Sequence, residues 1–365
     1  MTHSSPAGDR TPRQSTAHPD ALSARVVAVV VTYNRETLLQ ECLDALAAQD
    51  RRPDAVIIID NASTDASGTV ADEHPLAADV VHLRRNVGGA GGFAAGIARA
   101  LVRHDADWVW VMDDDTVPRP GALRELLRSL EASPVRLSVL SSRAVWTDGR
   151  DHPMNTQRSR LGASAQEKRD AARAGGHPIR TASYVSALLN GQDVRRLGLP
   201  YADYFIWSDD FEHTGRLLRD GRGIRVPGSV VEHRTARFSN AQTSPGSRFY
   251  YDVRNRLWAL LRTSSFTPWE KVVHGGATSL LLEGATTTDR DTVLRALLRS
   301  LGDVLAEASP EGYRALCSTL GTRVRVELPG GRSVEGLAEA VDDEGRLVVG
   351  GTAHGAGDVV HLRPG

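Results

Sequence analysis

Apolar runs, each closed by a polar cluster, set the pattern of the first third of the chain. Arg25 to Val31 is an unbroken β-branched run, which predicts a parallel strand covered on both faces, ending at Thr32-Tyr33-Asn34-Arg35. Leu38, Leu39, Cys42, Leu43, Leu46 and Ala47 then recur at three- and four-residue spacing and predict a helix. Ala55 to Ile59 reads as a second buried strand, closed by the polar turn Asp60-Asn61-Ala62-Ser63-Thr64-Asp65, and Val80 to Leu83 as a third, leading to Arg84-Arg85-Asn86. After a helix over Phe93 to Val102, the apolar run Trp108 to Met112 delivers Asp113, Asp114 and Asp115 to its end, where Pro118 and Pro120 stop it. Strand, helix and strand form a right-handed crossover, and ligands bind outside the carboxyl ends of such strands. The expected fold is therefore α/β, a mostly parallel sheet with flanking helices. Thr32/Arg35, Asp60/Asn61, Arg85/Asn86 and the three aspartates share one crevice.

Further on the pattern loosens. Leu126 to Arg180 alternates short apolar runs with polar loops, and the charged, small-residue segment Arg158 to Gly176 reads as a loop able to act as a lid beside the crevice. In Tyr201 to Arg219, aromatic residues lead into Asp209, Asp210 and Glu212. Carboxylates beside Phe205 and Trp207 suit a general base on an apolar platform, and acids in a first helical turn also suit the helix dipole; the segment alone allows both. Val226 to Val231 predicts a strand with Glu232-His233-Arg234 at its end, and FYYDVRNRLWALLR predicts a helix whose Arg254 and Arg256 either rest on a membrane or belong to a packed terminal helix. From about Gly275 the texture changes. A helix with Leu294, Leu297, Leu298, Leu301 and Val304 on one face precedes the short strands TRVRVEL, GLAEAVD, RLVVGG and DVVHLR, which suggest a small antiparallel barrel.

The 365 residues suffice for one large domain and a small one, and a net charge of -1 argues neither for nucleic acid nor for an acidic substrate. Two cysteines, Cys42 and Cys317, each sit in an apolar helical pattern, as reduced packing residues of a cytoplasmic chain do. Met1 to Ala24 reads as a disordered tail without the apolar core of a signal peptide, and no stretch approaches the length that spans a bilayer, so any membrane contact is peripheral.

The aspartate triplet carries the chemistry. Adjacent acids at a strand end raise one another's pKa unless a cation shares them, and alternate side chains point the same way, so Asp113 and Asp115 can converge on one metal. Oxygen ligands suit Mg²⁺ or Mn²⁺; the alternative is a solvated acidic turn. Gly89-x-Gly91-x-x-Ala94 formally matches a dinucleotide fingerprint, but that fingerprint belongs on the first strand, which here ends in TYNR. The glycines fit better with close backbone approach, either to a nucleotide sugar or of the helix to the sheet.

Together VVTYNR, the IIIDNASTD turn, RNVGGAGGF, the MDDD strand end, WSDDFE and EHR resemble the inverting, GT-A fold glycosyltransferases of the large family that includes bacterial rhamnosyl- and galactofuranosyltransferases. The resemblance runs from roughly Arg25 to Glu270. It implies a Rossmann-like GT-A sheet and transfer of a sugar, galactofuranose or rhamnose, from a UDP- or TDP-sugar to a cell-wall, polysaccharide or lipid-linked glycan. It also implies that Asp113 and Asp115 ligate Mn²⁺ or Mg²⁺ with His233 completing the site, and that Asp210 is the base. Asp209 and Glu212 stand beside that base, Glu212 positioning the acceptor or holding Asp210. Thr32, Tyr33, Arg35, Asp60, Asn61, Asn86, Asp114 and Trp207 line the nucleotide pocket. The C-terminal part resembles the end of a biotin protein ligase, its last catalytic-domain helix and its C-terminal barrel; the glycine-arginine loop and catalytic lysine segment of those enzymes have no match, so no biotinylation is expected. The expected organisation is a tail over 1–24, a GT-A domain over 25–270, a helical connector over 271–319 and a barrel over 320–365, with a fusion joint near Lys271 to Gly276. A different class stays open: a catalytically impaired fusion acting as a binding module. Nucleotidyl transfer on the same scaffold would need a basic residue such as Arg35 or Arg85 at the α-phosphate.

Overall fold

Strand β1 (Val26–Thr32) has all seven residues buried and lies between two parallel neighbours, β2 (Ala55–Asp60) and β4 (Trp108–Asp113). A strand covered on both faces needs no polar alternation, which is why the sequence there is purely apolar. The computed structural model describes residues 21–153, 157–236, 238, 249–274, 320–328, 332–342, 346–354 and 358–361. The chain divides into two compact units, Met1–Lys271 and Val272–Gly365.

In the first unit the helices α1 (Glu36–Ala47), α2 (Ser67–Glu73), α3 (Gly88–Arg103) and α4 (Ala122–Ala132) alternate with strands β3 (Asp79–His82), β5 (Thr116–Pro118) and β6 (Val139–Val145). There follow β7 (Arg158–Ser159), α5 (Ala165–Arg173), β8 (His177–Thr181), β9 (Ala187–Asn190), α6 (Gly191–Leu197), α7 (Asp209–Leu217), β10 (Gly223–His233) and α8 (Phe249–Leu261). The sheet order is β3-β2-β1-β4-β9-β6-β10-β8-β7, with β5 paired to β10. Four strands at one side run parallel; β9 enters antiparallel between β4 and β6, and β6 and β10 are again parallel. The expected α/β sheet with flanking helices is the one observed. Alternation along β1 sorts the core: Val26, Ala28 and Val30 pack with α1, α2 and α4, while Val27, Val29 and Val31 pack with α3, α6 and α7.

Two local expectations change. Helix α3 begins at Gly88, not Phe93, so the glycines are its first turns and not a loop. A Cβ on Gly92 would stand 2.6 Å from Val31 Cγ1, and one on Gly96 would overlap Val29, so both let the helix lie directly on β1. This is the close approach of helix to sheet that the glycines allow. Arg158 to Gly176 is not a free loop either. It forms β7 and α5, the helix capped by Ser164 Oγ accepting from Glu167 N at 3.1 Å, and Arg160 Nη1 donates to the carbonyls of Leu218 (2.9 Å) and Gly221 (3.1 Å). The charges that suggested mobility are the ones that tie it down.

Ala21 is buried and Ala24 partly buried against the α1 side of the core, so these two residues of the expected tail belong to the fold. In the second unit β11 (Arg323–Leu328), β12 (Arg332–Val341), β13 (Leu347–Val349), β14 (Thr352–His354) and β15 (Asp358–His361) form an antiparallel sheet in the order β14-β13-β12-β11-β15. Val324, Val326, Ala338 and Val349 are its core. This is the small antiparallel β domain that the short strands suggested; the helix assigned to Leu294 to Val304, and Cys317, lie outside the described residues. Among the described residues no helix is long and apolar enough to cross a membrane.

Candidate active site

The register of the parallel strands lines their ends up. Thr32 pairs with Asp60, Asp60 with His82 and Val31 with Asp113, so the polar residues that close β1, β2, β3 and β4 form one row. Beyond β4 the chain turns through Asp114 and Asp115 into β5, which pairs antiparallel with the end of β10, Thr116 opposite His233. Arg234 N donates to Asp115 O at 2.8 Å and fixes that junction. Asp113, Asp115 and His233 thereby each offer a ligand atom within 4.8 Å of the others.

Each acid of the triplet has a different setting. Asp114 accepts from Thr32 Oγ1 at 2.9 Å and Tyr33 N at 3.2 Å, and burial pushes it up to about 6 against the opposing pull of Arg35. Asp113 is driven well above the usual carboxylate range by burial and by the charges of Asp115 and Asp114. Asp115 is also buried, but its ion pairs with His233 and Arg35 outweigh burial and hold it at about 2. The Arg35 guanidinium pairs with Asp115 and lies 3.6 Å from Asp114. Asp115 Oδ1 lies buried 3.1 Å from His233 Nε2 and receives no well-aligned hydrogen bond. A buried carboxylate oxygen without a donor, in a set of two carboxylates and an imidazole, fits a divalent cation of the Mg²⁺ or Mn²⁺ kind. His152, buried, packs its ring 4.8 Å from that of His233 and bonds Thr235 Oγ1 at 2.9 Å.

The turn after β2 is built from its own polar residues. Asp60 accepts from Ser63 N (2.9 Å) and pairs with His82 Nδ1 (2.9 Å); these bonds outweigh burial and lower its pKa. Asn61 is buried and spends its amide on the backbone of the next turn, accepting from Val87 N (2.8 Å) and donating to Gly88 O (3.0 Å). Asn86 Oδ1 accepts from Gly88 N at 2.7 Å and closes the start of α3. Asn61, Asn86 and Thr32 thus brace the turns at the strand ends through their side-chain bonds, whereas Tyr33 is 43% exposed at the end of β1.

A second acidic group stands at the start of α7. Phe205, Trp207 and Ser208 all have left-handed φ, +61°, +68° and +63°, a conformation that costs non-glycine residues about 1 kcal/mol or more each and recurs at functional sites. Asp209 is buried; burial and the Asp210 charge push it up to about 8. Asp210 is raised mainly by burial and is held by hydrogen bonds from Phe211 N, the Ser183 side chain and Tyr184 backbone. The Asp209 charge adds slightly to the rise of Asp113, so the two acidic groups lie within electrostatic reach of each other. Glu212 departs from its expected place: fully buried, it pairs with Arg216 at 3.0 Å and accepts from Ser265 Oγ at 2.5 Å, because the helical repeat turns it inward from Asp209. Its carboxylate is taken up by Arg216 and Ser265. Arg254 packs within the fold, as the packed-helix reading expects. It donates to Asp203 O (2.7 Å) and Tyr204 O (3.1 Å) and stacks on Tyr251 and Trp258. Ser183, Tyr184, His152 and Asn255 enter this region without having been foreseen; a polar side chain in an unremarkable apolar segment gives no signal until the fold brings it in.

Residues 27–189 of the first unit match the glycosyl transferase family 2 model. Residues 319–361 of the second unit match the biotin protein ligase C terminal domain. Galactofuranosyltransferase GlfT1 of Mycolicibacterium smegmatis is 32% identical over 201 residues, 54% of this chain and 66% of the relative. The match thus spans just under two thirds of that protein's length. The biotin--[acetyl-CoA-carboxylase] ligase of Mycobacterium tuberculosis is 48% identical over 97 residues, 24% of this chain and 36% of the ligase. Among solved structures, S. aureus TarS 1-349 in complex with UDP-GlcNAc shares the fold with a TM-score of 0.53 at 15% identity, covering 79% of this chain and 82% of that one.

Proposed function

We propose that this protein transfers a sugar from a nucleoside diphosphate sugar to a glycan acceptor, with inversion at the anomeric carbon and in dependence on a divalent cation. The observation that carries this reading is the convergence of Asp113, Asp115 and His233 opposite Asp209 and Asp210. The cation, Mn²⁺ or Mg²⁺, would be held by Asp113, Asp115 and His233 and would neutralise charge on the leaving diphosphate. Asp60 and its His82 partner would face the base, and Arg35, freed from Asp115 by the cation, would face the diphosphate, with Asp114 and Trp207 at the walls. Asp210 is the less buried acid of its pair and would take the proton of the attacking hydroxyl; Asp209, held protonated near neutral pH, would remain neutral beside it. The name of the similar enzyme, a galactofuranosyltransferase, supports galactofuranose as the transferred sugar; UDP as its carrier and a lipid-linked or cell-wall glycan as acceptor complete the proposal.

The test is thermal stability of the purified chain against a panel of UDP- and TDP-sugars, each with and without Mn²⁺. A metal-dependent rise with one sugar class, abolished in Asp113→Ala and Asp115→Ala together with transfer, is the expected outcome. Unchanged turnover in both variants would sink the proposal. The C-terminal ligase domain, present without ligase catalytic segments, favours one other reading, a binding module with an impaired transferase. That reading requires no donor response with any metal.

A further inference from the structure

The loop that carries Trp207 and leads into Asp209 and Asp210 has three residues in the left-handed region, Phe205, Trp207 and Ser208, and such a conformation persists only where its surroundings enforce it. Two elements do so. From one side Ala90 N, in the first turn of α3, donates to Phe205 O at 3.1 Å, and Gly88, itself at φ +75°, leaves no room for a Cβ against that carbonyl. From the other side comes α8, about fifty positions further along the chain. Asn255 is fully buried, and its Nδ2 lies 2.8 Å from Tyr204 O, 2.8 Å from Ile206 O and 2.7 Å from Trp207 O. Its Oδ1 accepts from Arg254 Nε at 3.0 Å, which fixes the amide's orientation with the nitrogen toward the carbonyls. Two N–H groups thus serve three carbonyls that only this backbone conformation turns toward one point.

We propose that Asn255 is the positioning residue of the base: its amide holds Tyr204 to Trp207 in the left-handed path that sets where α7 begins, and so where Asp210 stands relative to the donor. This rests on the reading of Asp210 as base given above. An aspartate in its place would set a carboxylate oxygen against three carbonyl oxygens, so the position accepts a donor amide and rejects its near-isostere. The donor-side residues Asp60, Asp113 and Asp115 draw on none of these bonds, whereas Trp207, at the pocket wall, is held by one of them. Loss of the clamp is therefore mainly a loss of turnover, with a smaller loss of donor binding through Trp207.

The experiment compares the full chain with Asn255→Ala, Asn255→Asp and Arg254→Met, using UDP-galactofuranose with Mn²⁺ as probe. Expected are a donor-induced thermal shift close to that of the parent in Asn255→Ala, a kcat lowered about 100-fold with donor KM changed less than about threefold, and a larger loss in Asn255→Asp. Arg254→Met, which removes the bonds to Asp203, Tyr204 and Asn255 Oδ1 and the stacking on Tyr251 and Trp258, lowers kcat about tenfold and keeps the test open where both Asn255 variants fail to fold. A kcat within threefold of the parent in every folded variant, or equal losses in kcat and donor affinity, would overturn the inference. A parent chain with no donor-and-metal response would instead overturn the proposed function, and the two failures are distinguished by that control.

Discussion

Asp209 and Asp210 are neighbours in sequence with different tasks, and burial separates them. Asp209, buried against Asp210, is held up at about 8, so the folded chain binds a proton there that the unfolded chain gives up near the ordinary value of 3.8. The sign follows: this acid leaves stability untouched at low pH and erodes it as pH rises from about 4 to about 8. Asp209→Asn mimics the protonated form, so in metal-free buffer its melting temperature exceeds that of the parent at pH 8.5 and matches it near pH 4; a pH-independent difference would contradict this. Asp210→Asn, by contrast, removes the proton acceptor and lowers kcat by about 1,000-fold or more, with the donor-induced shift retained. Glycine supplies a second prediction at this scale. Gly92→Val places side-chain atoms into Val31 and costs about 1–3 kcal/mol, read as a lowered urea midpoint.

Among elements, the strand ends do the placing and the later segments do the bracing. Strand β8 is tied to the stretch after α8 through Arg180, which is buried, donates to Gly215 O (2.6 Å) and pairs with Glu270 at 2.5 Å. Burial raises Glu270, but its bond to Arg180 and those to Thr267 prevail and hold it near 2, against an ordinary value of 4.5. A depressed carboxylate stabilises fully above its unfolded pKa and loses that contribution as pH falls from about 4.5 to about 2. Arg180→Met is expected to lower stability by roughly 2 kcal/mol at pH 7, and the gap to the parent narrows below pH 3 as Glu270 is protonated in both chains. A gap that holds constant across that range would assign the loss to packing against Phe266 alone, over whose ring the guanidinium lies at 4.9 Å.

At the scale of the molecule, two compact units meet in sequence at Lys271 and Val272, one with the acidic strand-end site and one with a small β core. Each has its own apolar cluster, so calorimetry of the full chain should resolve two transitions, of which only that of the larger unit moves with nucleotide sugar and Mn²⁺. A single transition that rises as a whole would mean that the units unfold together.

What the sequence determined by itself is the part written in short-range patterns. Continuous apolar runs gave β1, β2 and β4, their polar terminators gave the row of Thr32, Asp60 and Asp113, and the ordered motifs gave the family of the first unit and the ligase-like second, because parallel strands must end at one edge and their end residues must then meet. The tertiary structure decided which polar side chains look outward. Glu212 sits in the same first turn as Asp209 and reads the same in sequence, yet it points at Arg216 and Ser265, and Asn61 and Asn86 are consumed by the turn they build. It also supplied Asn255, whose partners lie about fifty positions away and are backbone carbonyls, which every residue carries and no composition reveals. Side-chain identity is local, whereas burial and hydrogen-bond partnership are set by what the rest of the chain packs around it.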